Sequence, residues 1–160
     1  MKKIWIFSLP VIAMLFIFGK CKDDEGNTIE LPASIQQYLN SHYQGAEIEE
    51  SELDTLCTGA AVYEVELEVS DDNELDLSFD TEGNLLFSET EINSDELPEV
   101  VKAAINAQYA TFQILEAGRM DMADGSKRYE AELKKGQTIL EVLFNADGTV
   151  VCEQAGGDDD

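Results

Sequence analysis

Five carboxylates crowd onto two neighbouring stretches of the chain: Glu64, Glu66 and Glu68 alternate along one, and Glu74 and Asp76 along the next. Alternate side chains of an extended strand share a face. The intervening Asp71-Asp72-Asn73 supplies turn residues, so a hairpin places all five on one exposed sheet face. Like charges directly opposed across strands destabilise a sheet by roughly 0.2–1 kcal/mol per pair, which asks for compensation. Two kinds of chemistry answer: the basic surface of a partner protein, or divalent cations such as calcium taken up by this acidic face. The bland alternative is that the side chains splay into water.

Other chemistry is thin. The single histidine, His42, falls on the apolar side of a helix near Ile35 and Leu39 and has no convergent partners, so it reads as a half-buried structural residue. No CxxC, HExxH, GxSxG or phosphate-cradling glycine loop occurs. Asp121-Met122-Ala123-Asp124-Gly125 and Asn145-Ala146-Asp147-Gly148 look like fragments of calcium loops, but neither runs on to the distant bidentate glutamate, and both sit where hairpin turns are expected. Cys57 and Cys152 are the thiols left after Cys21; whether they pair stays open, since neither has a cysteine at its repeat equivalent. No catalytic residue, metal ligand or cofactor is predicted, and the reading is not an enzyme. A formal charge of −24, with only ten Lys and Arg, excludes nucleic acid as a partner and disfavours anionic headgroups, because both need a basic surface.

The elements that position these residues are written twice. Tyr63-Glu64-Val65-Glu66-Leu67 returns as Tyr129-Glu130-Ala131-Glu132-Leu133, and Phe79-Asp80-Thr81-Glu82-Gly83 returns as Phe144-Asn145-Ala146-Asp147-Gly148. The copies align from Leu31-Pro32 against Leu97-Pro98 through to the last strand with a single deletion, the signature of duplication. Each copy opens with a helix: Leu31, Ile35, Leu39 and Tyr43 recur every four residues, as do Leu97, Val101, Ile105 and Tyr109. Strands are predicted over 46–54, 61–69, 74–80 and 84–92, and over 111–117, 127–135, 138–145 and 149–153. Hairpin-sized connections make them antiparallel. Tyr63, Val65, Leu67 and Val69 alternate with acids, so one face is apolar under the helix and the other meets water. The second copy is milder, with Lys127, Lys134 and Lys135 near Glu130 and Glu132, which points a partner to the first.

The start of the chain reads as an address. Lys2 and Lys3 precede an apolar run from Ile4 to Phe18, and Cys21 follows with Lys22-Asp23-Asp24-Glu25. The run is too short for a comfortable membrane span of about 20 residues. The arrangement resembles a bacterial lipoprotein signal, although Phe18-Gly19-Lys20 departs from the usual small residues before the cysteine. It implies lipidation at Cys21, attachment to the membrane only through that anchor, and an outer-membrane place in the cell envelope; the acidic string after the cysteine resembles a tag for the cell surface, and whether the domain faces the periplasm or the surface stays open. An uncleaved anchor and a plain secreted form are the alternatives.

The order of a helix and then four antiparallel strands, twice, with the helix phrase LPxxVxxxIxxxY and the strand phrase YExEL, resembles the PepSY-like family of secreted bacterial proteins, also described as β-lactamase-inhibitor-like. The resemblance covers about residues 31 to 153. It implies an α+β fold of two tandem αββββ units, each one helix packed on a four-stranded antiparallel sheet, and a non-catalytic role in binding or inhibiting an envelope protein. The chain then divides into a signal peptide (1–20), an acidic tether (21–30), repeats at 31–93 and 97–153, and a disordered acidic tail (154–160).

Overall fold

The computed structural model describes residues 28–70 and 73–156, without the side chains of Ser70 and Asn73. The expected signal, Cys21, most of the tether and the end of the tail lie outside the described residues. The elements run α1 (Ala33–His42), β1 (Glu47–Thr55), β2 (Ala61–Ser70), β3 (Asn73–Asp80), β4 (Leu85–Glu91), a 3-10 turn (Ser94–Glu96), α2 (Glu99–Gln108), β5 (Gln113–Met122), β6 (Lys127–Lys135), β7 (Thr138–Asn145) and β8 (Val150–Ala155).

The expectation of two αββββ units, each with its own four-stranded sheet, is corrected. All eight strands form one antiparallel sheet in the order β1 to β8. The join is β4 with β5, from Phe87 opposite Met122 to Glu91 opposite Gly118. Two separate sheets would leave the β4 and β5 edges with unpaired N–H and C=O groups, and pairing them satisfies both. β5 accordingly extends to Met122, five residues past its predicted end, to supply the ladder.

Both ten-residue helices lie on the same side of this sheet. Ile35 and Leu39 of α1 are buried with Val65, Leu67, Leu77 and Phe79. Val101 and Ile105 of α2 are buried with Ala131, Leu133, Val142 and Phe144. Each helix ends alike, with the Tyr43 N–H donating to the Leu39 carbonyl and the Tyr109 N–H to that of Ile105, at 2.8 Å each. Gly83 and Gly148 take positive φ beneath the helix starts. His42 is exposed rather than on the apolar side, its ring stacked on Tyr38 at 4.1 Å. At the β1 edge, Ile29 donates to the Ser51 carbonyl at 3.1 Å and to its hydroxyl at 3.0 Å, covering part of that edge.

The sheet is curled. Seven steps of about 4.8 Å would set the outer strands of a flat sheet roughly 30 Å apart. Yet Cys57, in the β1–β2 hairpin, is joined by a disulfide to Cys152 in β8, with their Cα atoms 6.0 Å apart. Both cysteines pack with Phe87, Met120 and Leu143, whose side chains lie on the face away from the helices, so that face is concave.

Candidate functional site

Strand register fixes which side chains line the concave face. Glu64 stands opposite Glu52 on β1 and Ser78 on β3. Asp76 stands opposite Glu66 and Glu89, and Glu130 opposite Gly118 and Leu143. On this face lies a cleft of about 670 Å³ lined from every strand, with Glu52, Asp54, Glu64, Asp76, Glu89, Glu116, Glu130 and Glu141 as its acids and, among the described residues, Arg128 as its one base. One end is apolar. Phe87, Met120 and Leu143 are buried there and pack with Leu56, Leu86, Met122 and both disulfide cysteines.

Gly118 brings the central acids together. A Cβ at this position would lie 1.8 Å from Oε1 of Glu89. The missing side chain thus lets the Glu89 carboxylate lean across β5 while Glu130 stands directly opposite the same glycine on β6. Burial raises the Glu89 carboxyl to about 8, with the charges of Glu130, Asp76, Glu64 and Glu141 adding to it. Glu64 and Glu130 are raised to about 7, again first by burial; the strongest charge contribution is Asp54 for Glu64 and Glu141 for Glu130. Burial dominates because the curled sheet strips water from side chains whose immediate neighbours are mostly other carboxylates or apolar groups. Ser78, between Glu64 and Phe87 on the neighbouring strands, is wholly buried and does not line the cleft, and its hydroxyl has no hydrogen-bond partner among the described residues.

The five acids predicted from sequence divide. Glu64 and Asp76 line the cleft, and Glu66 joins them with Glu50 and Glu52 in a shallow adjoining depression of about 120 Å³. Burial first, then neighbouring acids, raises the carboxyls of Glu66 and Asp76. Glu68 and Glu74 pair with each other at the far end of the hairpin, beyond the cleft. There Glu74, Glu66 and Glu49 bring carboxylate oxygens within 4.8 Å of one another. The expectation that this face simply meets water fails at Glu64 and Asp76, which the curl leaves half-buried.

The sequence pattern does not single out Glu89, Glu116 and Glu141, and the lysines near Glu130 in sequence argue against that residue. Lys127 instead pairs with Asp121, and Lys135 lies 5.6 Å from the Phe112 ring centroid. Strand parity within the second copy already placed Glu130 and Glu141 on the face of Leu143. What no local pattern contained was the β4–β5 pairing that puts Glu89 beside them. The two calcium-like fragments are hairpin turns: Asp124 Oδ1 accepts from Ser126 N–H at 2.9 Å, and Asp147 Oδ1 from Thr149 N–H at 3.0 Å.

A sheet with helices on its convex side and an open, acid-lined concave side is the architecture of a binding module. The chain belongs to the PepSY-like, beta-lactamase-inhibitor-like family, whose profile matches residues 19–87 and 87–151. Among solved structures, a BLIP-like protein from Bacteroides fragilis is similar over 82% of this chain and 92% of its own, at 23% identity and a TM-score of 0.55. A candidate periplasmic protein from Bacteroides eggerthii matches over 79% and 90%, at 18% identity and 0.60. A DUF2874 family protein from Bacteroides uniformis matches over the same shares, at 18% and 0.59. These likenesses show the fold. No curated protein matches the chain.

Proposed function

We propose that the protein is a non-catalytic binding module of the cell envelope, anchored by lipid at Cys21 on the outer membrane, that holds and inhibits another envelope protein by taking its basic surface into the concave face. The observation that carries the reading is the convergence of acids from seven strands in one cleft, with Glu64, Glu89 and Glu130 held near neutral affinity for protons. Such a site stores electrostatic repulsion that a basic partner relieves on docking. The disulfide suits an oxidising compartment, and the descriptions of the structural relatives as periplasmic and BLIP-like support the same placement. The division into signal, tether and two repeats fits this picture. The test is a pull-down from envelope extract. A retained protein should be lost when Glu64, Glu66 and Asp76 become Gln, Gln and Asn, and kept by Glu82→Gln on a remote turn; retention unchanged by the triple variant defeats the face assignment. Intact mass of the mature protein reads the anchor.

A second reading, divalent-cation binding by the first repeat, is favoured by the Glu49, Glu66 and Glu74 cluster at the hairpin end. Calorimetry with millimolar calcium tests it, and absence of both heat and melting shift removes it.

A further inference from the structure

The two repeats diverge beside their helices, and the difference leaves a groove in the first. We propose that this groove, between α1 and the edge strand β1 on the helix side of the sheet, docks a basic protein segment through an aromatic side chain. It shares no lining residue with the concave cleft.

The internal repeat shows what fits there. In the second copy the Phe112 N–H donates to the Tyr109 carbonyl at 2.9 Å. Its ring meets that of Tyr109 edge-on at 6.2 Å and packs on the cluster containing Leu97, Ile105 and Leu133. Ala46 is the repeat equivalent of Phe112, and its N–H donates to the Tyr43 carbonyl at 3.2 Å. The same turn recurs without the ring. What remains is a groove of about 490 Å³ over Leu31, Leu39 and Leu67, the equivalents of those three cluster residues, walled by Ile29, Tyr43 and Ile48. Volume and lining are those of a binding pocket, mostly apolar and within roughly 300–1,000 Å³. Aromatic anchors seated in such pockets carry much of the affinity of protein interfaces.

Charge decides the occupant. The chain has no Lys or Arg between Lys22 and Lys102, while Glu30 lines the groove and the exposed Glu47 and Glu49 flank Ile48. In the second copy Lys135 lies 5.6 Å from the Phe112 ring centroid, and the first carries Val69 at the position of that lysine. Ring and cation are both missing from the first copy, and a segment with an aromatic residue beside Lys or Arg supplies both. The chain itself is poorly placed to do so. Asp23 to Asn27, directly before the groove-lining Thr28, holds no aromatic or aliphatic side chain. A second copy brings the same charge of −24, and the large apolar side chains exposed among its described residues, Ile48, Leu53, Val100 and Leu115, include no ring.

Fluorescence anisotropy of two labelled peptides, Lys-Lys-Phe-Lys-Lys and Lys-Lys-Ala-Lys-Lys, titrated with the full-length protein at fixed ionic strength tests the docking. General attraction to acids is common to both. The phenylalanine peptide is expected to bind at least about tenfold tighter, the factor that burying a ring contributes. Ala46→Phe refills the groove as the second copy does, and should erase the preference while keeping Tm. Ile48→Asn, at an exposed position of the wall, should reduce the preference severalfold. Glu64→Gln combined with Asp76→Asn, in the cleft, should leave it unchanged. Equal binding of the two peptides overturns the proposal. So does a preference that survives a folded Ala46→Phe, survives Ile48→Asn, or vanishes in the cleft variant. If Ala46→Phe melts below the natural protein, Ile48→Asn alone decides. N-acetylphenylalanine amide displacing the labelled peptide as well as unlabelled peptide does would identify a small-molecule site and overturn the assignment to a protein segment. The pull-down with Glu64, Glu66 and Asp76 changed reads the concave face separately, so either reading can fail alone.

Discussion

Cys57 and Cys152, 95 residues apart in sequence, hold the two ends of the curled sheet together with their Cα atoms at 6.0 Å. The internal repeat shows what this bond replaces. Ala123 and Leu86 occupy the repeat positions of Cys57 and Val151, and at the central seam the Ala123 N–H donates to the Leu86 carbonyl at 2.8 Å. There β4 and β5 are paired along five positions; at the outer seam β1 and β8 form no ladder, and the disulfide provides the link. A loop of this length contributes several kcal/mol through the unfolded chain. Replacing both cysteines by serine is therefore expected to cost about 2–4 kcal/mol, lowering Tm by roughly 5–15 °C. Scanning calorimetry with and without reductant checks it: reductant should bring the natural protein down to the double variant and leave the variant unmoved.

Stability should fall as pH rises through neutrality. Glu64, Glu89 and Glu130 have folded-state pKa values of about 7, 8 and 7, above the ordinary 4.5. A carboxyl raised on folding binds its proton more tightly in the native state, so its stabilising contribution is complete below pH ~4.5 and disappears between there and pH ~8. Asp54, Glu52, Asp76, Glu116 and Glu141 face the same cleft and add negative charge, with Arg128 the sole opposing cation among the described residues. The reverse holds for Asp80, Asp121, Asp124 and Asp147, lowered mainly by side-chain hydrogen bonds or ion pairing, whose stabilisation is lost in acid. Melting curves from pH 3 to 9 should therefore peak near pH 5 and lose several degrees by pH 8.5. A maximum at pH 7 to 8 would contradict the burial of the three glutamates.

Glu89→Gln keeps the shape of the side chain and removes its charge. At pH 8.5 the variant is expected to be more stable than the natural protein by on the order of 1–2 kcal/mol, less than the full displacement of the Glu89 pKa implies because Glu64 and Glu130 relax once their neighbour is neutral. At pH 5, where Glu89 is already protonated, the two should unfold together in urea. Equal behaviour at both pH values would mean that Glu89 remains hydrated.

Much of this was legible in the sequence. Ile35, Leu39, Val65, Leu67, Leu77 and Phe79 are buried as their periodicities require, and the hairpin turns fall at the Gly83 and Gly148 motifs. Alternation also put Glu64 and Asp76 on the side away from the helices. Curvature was not legible. Alternation says which face a residue occupies but not whether that face is open or folded on itself, and that depends on the β4–β5 pairing and the Cys57–Cys152 bond. For the same reason Phe87, Met120 and Leu143, which share the acidic face, form a buried cluster there that a two-sided reading had no place for.

The two turn glycines, equivalent in the repeat, should differ in what they tolerate. Gly83 and Gly148 both have φ in the left-handed region, 87° and 83°, so any side chain costs about 1 kcal/mol at either. Their surroundings separate them. A Cβ on Gly83 would meet the Ser34 hydroxyl at 2.0 Å, which is exposed and able to rotate away, and the Ser34 Cβ at 2.9 Å, which a small shift of one side chain relieves. A Cβ on Gly148 would meet the Val100 carbonyl oxygen at 2.6 Å and its carbon at 3.0 Å, which is backbone in the first turn of α2 and moves only if the helix moves. Gly83→Ala should thus cost about 1–2 kcal/mol, and Gly148→Ala about 2–4 kcal/mol, as overpacking against a fixed wall does. Urea unfolding of both variants decides, and a larger loss at Gly83 would show that α1, not α2, is the rigidly seated helix.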